Sequence, residues 1–337
     1  MQGEGSSHGG HVGFHSHLWW MGILGVAAGL GLMIFVPRLA AVSRVLVLFA
    51  AFHLIGAVVV VSSLYATAGK ALRQHLAGRS GAHAAREASR YDFGWDPWMT
   101  TAPWLGALVA MAVAVAVQVS APAWWPVTCV LVLLAANGFA GYVMARAATR
   151  PDHAVLPMVD LVSSDSDVVL DGGCGSGRTS LWLGRVLRNG RIVALDRFDA
   201  RYIDQGGRAL LDRNLRRAGL ADRVQTVSGD LTSMPFGDCT FDSAVSAHAM
   251  DHLGRHKERG LREMLRVLKP GARFLLVVWI PGWAAFAMAS VMSFLMTRPE
   301  GWRRLAVRAG FEIADQGHFN GFWYLLLRRP HAEAAAS

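Results

Sequence analysis

The stretch that decides the fold is DVVLDGGCGSGRTSLWL, residues 167–183. Val168, Val169 and Leu170 form a short apolar, β-branched run, the pattern of a strand buried on both faces. Asp171 closes that strand. Gly173, Gly175 and Gly177 then recur at every second position, and a helical pattern begins over residues 178–183. A strand, a glycine-rich turn and a helix in that order bring backbone N–H groups close to a ligand, because no Cβ obstructs the turn or the approach. A dinucleotide fingerprint, G-x-G-x-x-G, fits neither register: its third glycine falls on Arg178 counted from Gly173, or on Ser180 counted from Gly175. The pattern present is D-x-G-x-G-x-G. An acid ahead of the glycines suits a ligand that carries an ammonium group and no pyrophosphate.

Downstream, residues 191–195 (RIVAL) read as a second strand ending at Asp196, placed at about the distance for a carboxylate that holds two ribose hydroxyls. Residues 208–219 form a basic amphipathic helix, and residues 223–228 a third strand ahead of Gly229-Asp230-Leu231. The segment MPFGDCTFDSAVSAHAMDHL (234–253) holds a fourth strand at 241–246. A helix at 261–268 ends at Lys269-Pro270-Gly271, and a fifth strand follows at 274–279. Residues 283–296 (WAAFAMASVMSFLM) are uncharged and short for a membrane span, as in an interfacial or buried helix. A helix at 302–309 and a β-hairpin at 312–320 and 321–329 close the chain.

An acid after the second strand, Gly229-Asp230 before the PF…FD segment, and LREMLRVLKPGARFLLV at 261–277 together resemble the class I S-adenosylmethionine (SAM)-dependent methyltransferases. The likeness runs over residues 160–329. It is strongest to the subgroup that includes the ubiquinone and menaquinone biosynthesis C-methyltransferases. It implies an α/β, Rossmann-like sheet of seven strands and SAM as the cofactor. By this resemblance Gly173, Gly175 and Gly177 line the methionine side, with Asp171 near the ammonium. Asp196 holds the ribose, Asp230 and Leu231 meet the adenine, and Arg197 and Ser246 also belong to the cofactor site. Methyl transfer from a sulfonium is an in-line displacement that holding nucleophile, methyl and sulfur in line can largely accomplish. If a base is needed, the candidates follow the fourth strand: His248, Asp251 and His252. The other reading of these three is that they start a solvated helix.

The N-terminal half is of another kind. The chain is 53% hydrophobic over 337 residues, which points to a membrane portion. Apolar segments at 18–36, 45–66, 104–119 and 124–145 approach the ~20 residues that cross a bilayer. Trp19, Trp20, Trp104, Trp124 and Trp125 sit at their ends, where an aromatic belt places them. The reading is an all-α transmembrane domain of four helices in two hairpins (1–150), followed by a cytosolic methyltransferase domain (151–337). The loop at 67–103 carries Lys70, Arg73, Arg79, Arg86 and Arg90, so positive-inside counting puts it in the cytoplasm. The turns at 37–44 and 120–123 then face outside, although Arg38 and Arg44 oppose the first of these. The aromatic stretch YDFGWDPW (91–98) is expected at headgroup level. His53 and Asn137 are polar at membrane depth and receive no role.

The net charge of +9 is spread over both halves, and no basic run is interleaved with aromatics, so nucleic acid is not the expected partner. Anionic headgroups account for the charge more simply. Cys129, Cys174 and Cys239 show no CxxC spacing, which argues against a disulfide framework or a metal centre, and Cys174 reads as a small residue of the glycine loop. The histidines at 8, 11, 15 and 17 read as a weakly cationic tail. The expected activity is methylation of a hydrophobic or membrane-resident small molecule such as a lipid or quinone. A non-catalytic SAM-binding sensor and a nucleotide-dependent oxidoreductase are the competing readings. The acceptor and the oligomeric state are left open.

Overall fold

Valine and leucine at 168–170 build β1 (Val168–Gly172), which runs on through Asp171 instead of stopping before it. In the computed structural model, residues 24–25, 27–32, 34–51, 91–94, 97–148, 155–157, 159–200, 203–282, 285–286, 289–319 and 322–331 are described. The first two apolar segments fall partly outside these residues. His53, the histidine tail and residues 67–90 fall wholly outside them. The chain divides into two compact units: Met1–Ser63 with Ala102–Gly141, and Leu64–Thr101 with Tyr142–Ser337.

The second unit is built on a seven-stranded sheet of order β3-β2-β1-β4-β5-β7-β6. Its strands are β1, β2 (Arg191–Asp196), β3 (Val224–Ser228), β4 (Phe241–Ala247), β5 (Leu268–Val278), β6 (Glu312–Phe319) and β7 (Phe322–Arg328). β1 through β5 pair in parallel, while β7 runs antiparallel to β5 and to β6. The expected closing hairpin is therefore present, inserted so that β7 and not β6 meets β5. From β1 the chain winds outward to β2 and β3, then returns to lay β4 on the other side of β1. That reversal opens a crevice at the strand C-termini, the place where open α/β sheets bind ligands.

Alternation along β1 assigns its side chains to two cores. Leu170 joins Leu261, Met264, Trp302 and Ala306 beneath α5 (Lys257–Val267) and α6 (Pro299–Ala309). Val169 joins Leu181, Leu183, Leu211 and Leu215 beneath α3 (Arg178–Val186) and α4 (Arg208–Ala218). (α1 and α2 are the helices of the N-terminal half, below.) Helices thus cover both faces of the sheet, as its continuously apolar strands demand.

Two elements differ from their sequence expectation. Helix α5 ends at Val267, and Leu268 already belongs to β5, which carries Lys269-Pro270-Gly271 within it. The pairing of β4 with β5 jumps from Phe241↔Leu268 to Ser243↔Arg273, and this irregularity absorbs the proline. The apolar run at 283–296 is not one α-helix. Its described residues include helical positions 285, 286 and 289, then a 3-10 stretch Ser290–Leu295. Met292, Phe294 and Leu295 are exposed, while Ala285 and Ser293 are buried, so only part of the run is packed against the domain.

In the first unit the described residues are almost entirely helical. Helical residues at 24–25, 27–32, 34–35 and 40–51 are followed by α1 (Pro97–Ser120) and α2 (Trp125–Ala148). Helix α1 begins seven residues before the expected Trp104, because Pro97 suits a first helical turn and Pro103 is accommodated inside the helix. Small residues set the close approaches: a Cβ on Gly138 would lie 2.8 Å from the Pro103 carbonyl, and one on Gly25 3.2 Å from Ala50 Cβ. Val45, Ala114 and Val132 make a small buried cluster. Among the described residues two stretches, Thr101–Ser120 and Pro122–Phe139, are long and apolar enough to cross a membrane. Only 17% and 28% of their windows are buried, and Leu105, Val109 and Val130 point outward.

Candidate functional site

Three neighbouring strands each lead to an aspartate at the C-terminal edge of the sheet: β1 to Asp171, β2 to Asp196 and β3 to Asp230. Asp171 is fully buried and its Oδ2 accepts the Ser180 hydroxyl at 2.6 Å. Its Oδ1 is buried and has no hydrogen-bond partner among the described residues. Burial pushes the carboxyl up to about 7, against the Ser180 hydrogen bond and with the Asp196 charge adding to the shift. The same burial, reinforced by Asp171 and Asp196, pushes the Cys174 thiol well above its ordinary range. Cys174 is therefore a protonated small residue of the loop, with no nucleophile's chemistry.

The glycine turn spends its backbone donors on its own scaffold. Gly173 and Cys174 donate to the Leu195 carbonyl at 2.7 and 3.1 Å, and Gly177 donates to Cys174. Gly175 donates to Asp196 Oδ2 at 2.8 Å. The sequence pattern suggested N–H groups turned toward a ligand; four of them are tied mainly to the end of β2 instead. The missing side chains let neighbouring residues pack close against the turn. Gly173 and Gly177 have φ of +81° and +88°, and a Cβ would collide with Ala249 at the first and Leu211 at the second. A pyrophosphate would need those donors; a cationic ligand does not.

Asp196 is half-buried and also accepts the Phe198 N–H through Oδ1 at 2.8 Å, so each oxygen keeps a lone pair for a hydroxyl. Asp230 Oδ1 accepts both the N–H and the hydroxyl of Thr232, at 2.7 and 2.8 Å. These bonds, the N–H foremost, with Arg197 nearby, hold its carboxyl below the usual range. Arg197 is exposed and pairs with Asp199 at 2.6 Å and with Asp230 at 3.7 Å. The Leu231 side chain is buried in the core, where a Cβ on Gly172 would come within 3.0 Å of it. Ser246 is fully buried inside β4, opposite Leu276.

The three candidates after β4 part company. His248 has φ of +59°, a strained conformation for histidine, and its N–H is held by the Val277 carbonyl at 2.9 Å. Its ring lies 4.2 Å from Phe322 and 5.8 Å from Trp279, and these two meet edge to face at 4.5 Å. Asp251 Oδ2 accepts the Trp279 N–H at 2.9 Å, and burial pushes its carboxyl up against the pull of that bond, His252 and Lys257. His252 is exposed. His248 and Asp251 thus both fasten to the end of β5, and neither starts a solvated α-helix.

Sequence reading missed Trp279 and Phe322 as neighbours of His248, since only the antiparallel pairing of β7 with β5 brings them together. It also missed residues 91–94. Those hydrogen-bond to the glycine turn and α4, a contact that their aromatic composition did not signal. Asp92, spaced 122 residues from Asn214, gave no local signal.

Residues 170–276 match the family model described as a methyltransferase domain. They form a SAM-dependent methyltransferase domain. Its cofactor is S-adenosylmethionine. The chain is 32% identical over 142 residues to a sterol 24-C-methyltransferase of Eremothecium gossypii, a match covering 42% of this chain and 35% of that one. It is 37% identical over 109 residues to the ubiquinone/menaquinone biosynthesis C-methyltransferase of Azotobacter vinelandii, covering 32% and 41%. The chain thus spans well under half the length of these two relatives. A solved SAM-dependent methyltransferase from Methanosarcina mazei, 20% identical, covers 53% of this chain and 100% of its own, with a TM-score of 0.44.

Proposed function

We propose that the chain is a membrane-anchored SAM-dependent methyltransferase whose acceptor is a hydrophobic or membrane-resident small molecule. The observation that carries the catalytic part is the row of aspartates 171, 196 and 230 around a glycine turn whose Gly173, Cys174, Gly175 and Gly177 N–H groups are bonded within the chain. The buried, unpartnered Oδ1 of Asp171 fits a ligand that brings a positive charge. Asp196 would hold the ribose and the Asp230–Leu231 turn the adenine. Bound SAM supplies an electrophilic methyl group on a sulfonium. The chain's part is to orient it and to keep water out.

The acceptor would lie at the ends of β4, β5 and β7, where His248, Trp279 and Phe322 form a ring-lined wall suited to a flat or apolar molecule. His248 is the base we assign if the accepting atom must lose a proton. Asp251 acts through Trp279, whose N–H it holds.

Anchoring rests on the two apolar, outward-facing stretches Thr101–Ser120 and Pro122–Phe139, and we assign the segments at 18–36 and 45–66 as two further spans. Residues 91–94 hydrogen-bond to the methyltransferase domain, which supports placing their loop on the same side of the bilayer as that domain. Met292, Phe294 and Leu295, 59–76% exposed, add an apolar contact through which an acceptor can pass from the lipid. Mass spectrometry of membrane lipids from cells with and without the protein tests the proposal. A species shifted by one methyl group is expected, and a gain confined to water-soluble metabolites would refute the acceptor class.

A further inference from the structure

Asn214 sits on α4 with no exposed surface, and all its bonds go to two backbone segments distant in sequence. Its Oδ1 accepts the Asp92 N–H at 3.1 Å while its Nδ2 donates to the Asp92 carbonyl at 2.7 Å. The same Nδ2 donates to the Ser176 carbonyl, inside the glycine turn, at 3.0 Å. Ser176 returns the link, its hydroxyl donating to the Phe93 carbonyl at 3.1 Å. Phe93 is buried in the apolar cluster that includes Leu181 and Leu211, and the Arg178 guanidinium lies 5.1 Å from its ring centre. Gly94, at φ +66°, donates to Asp92 Oδ1 and turns the chain away. Arg213 pairs with Asp92 at the exposed rim.

A buried amide that grips one residue by both its N–H and its C=O recognises backbone, and any slippage strands polar atoms in the core. Asn214 and the Ser176 hydroxyl together join residues 92–93 to the turn, whose own donors tie it to β2. We infer that residues 91–94 are a positioning strap for the cofactor turn. They come from far outside the matched domain and hold Cys174–Gly175–Ser176 in the conformation that receives SAM. The inference rests on the SAM reading above. In sequence the strap precedes α1. Asn214, Ser176 and Phe93 are positioning residues, and none is assigned a contact with the methyl group.

The test uses the full-length chain in detergent micelles, with SAM affinity measured by calorimetry and amide hydrogen exchange followed over residues 173–177. Asn214→Ala should raise the SAM Kd at least tenfold in protein that remains folded, and speed exchange in the turn. Ser176→Ala should raise Kd severalfold and Ser176→Thr, which keeps the hydroxyl, should restore it; this pair decides the matter if Asn214→Ala does not fold. Arg213→Ala, which loses only an exposed ion pair, should leave Kd within twofold. A lower melting temperature with unchanged Kd and unchanged exchange in the turn would overturn the strap and leave a merely structural contact. If the unaltered chain does not bind SAM at all, the cofactor reading itself falls and the strap with it.

Discussion

Asp171 carries the clearest pH signature of any residue in the site. Burial raises its folded pKa to about 7, against an unfolded value near ~4. Between those values the folded chain holds a proton that the unfolded chain has released. Stability therefore falls as pH rises across that window and levels off above it. Asp171→Asn removes the titration. The variant should melt higher than the parent at pH 8 by an amount corresponding to roughly 1–4 kcal/mol, and equally at pH 4, as thermal scans across pH would show. Ligand binding has the opposite slope. An ammonium beside Asp171 favours its charged form, so SAM affinity should strengthen from pH 5.5 to 7.5 with proton release, and calorimetry in two buffers should show no such dependence in Asp171→Asn. Asp196 has two tasks, because it also fixes Gly175 and Phe198. Asp196→Ala should cost about 1–3 kcal/mol of SAM binding and should also loosen the turn. An unchanged calorimetric affinity would remove the ribose assignment.

At the scale of elements, what was legible in the sequence was what local pattern encodes. The run of valines and leucines at 168–170, the glycines at 173–177 and the acid after each of three strands are read within a few residues of one another. The same holds for the short helices of the domain, each with one apolar face. What escaped depends on pairing across distance. The aromatic composition of residues 91–94 does not reveal that Asn214 holds their backbone. Trp279 and Phe322 acquire meaning only when β7 lies antiparallel to β5. The run at 283–296 is read from its length and lack of charge, which do not record where a partner surface lies. Its exposed end gives a clean experiment. Phe294 and Leu295 are 72% and 76% exposed. Phe294→Ser with Leu295→Ser should leave the melting temperature and SAM affinity near the parent values and lower binding to lipid vesicles. A drop in melting temperature of several degrees would show instead that these side chains are packed in the working protein.

The whole molecule contains an apolar helical unit and a unit built on a seven-stranded sheet. Its topology is checkable. In a chain whose three native cysteines are replaced, single cysteines at Ser80 and Ala121 should react differently with an impermeant reagent added to intact cells. Ala121 should label and Ser80 should not; the reverse pattern would invert the proposed orientation. The most direct test of the central claim is methyl transfer itself. Full-length protein reconstituted with lipids extracted from its own membrane is given SAM labelled in the methyl group, and the organic phase is counted and analysed by mass spectrometry. The account predicts label in an apolar product one methyl heavier, formed by the parent protein and sharply reduced in Asp196→Ala. Label that stays entirely in SAM, or that enters only water-soluble material, would contradict it.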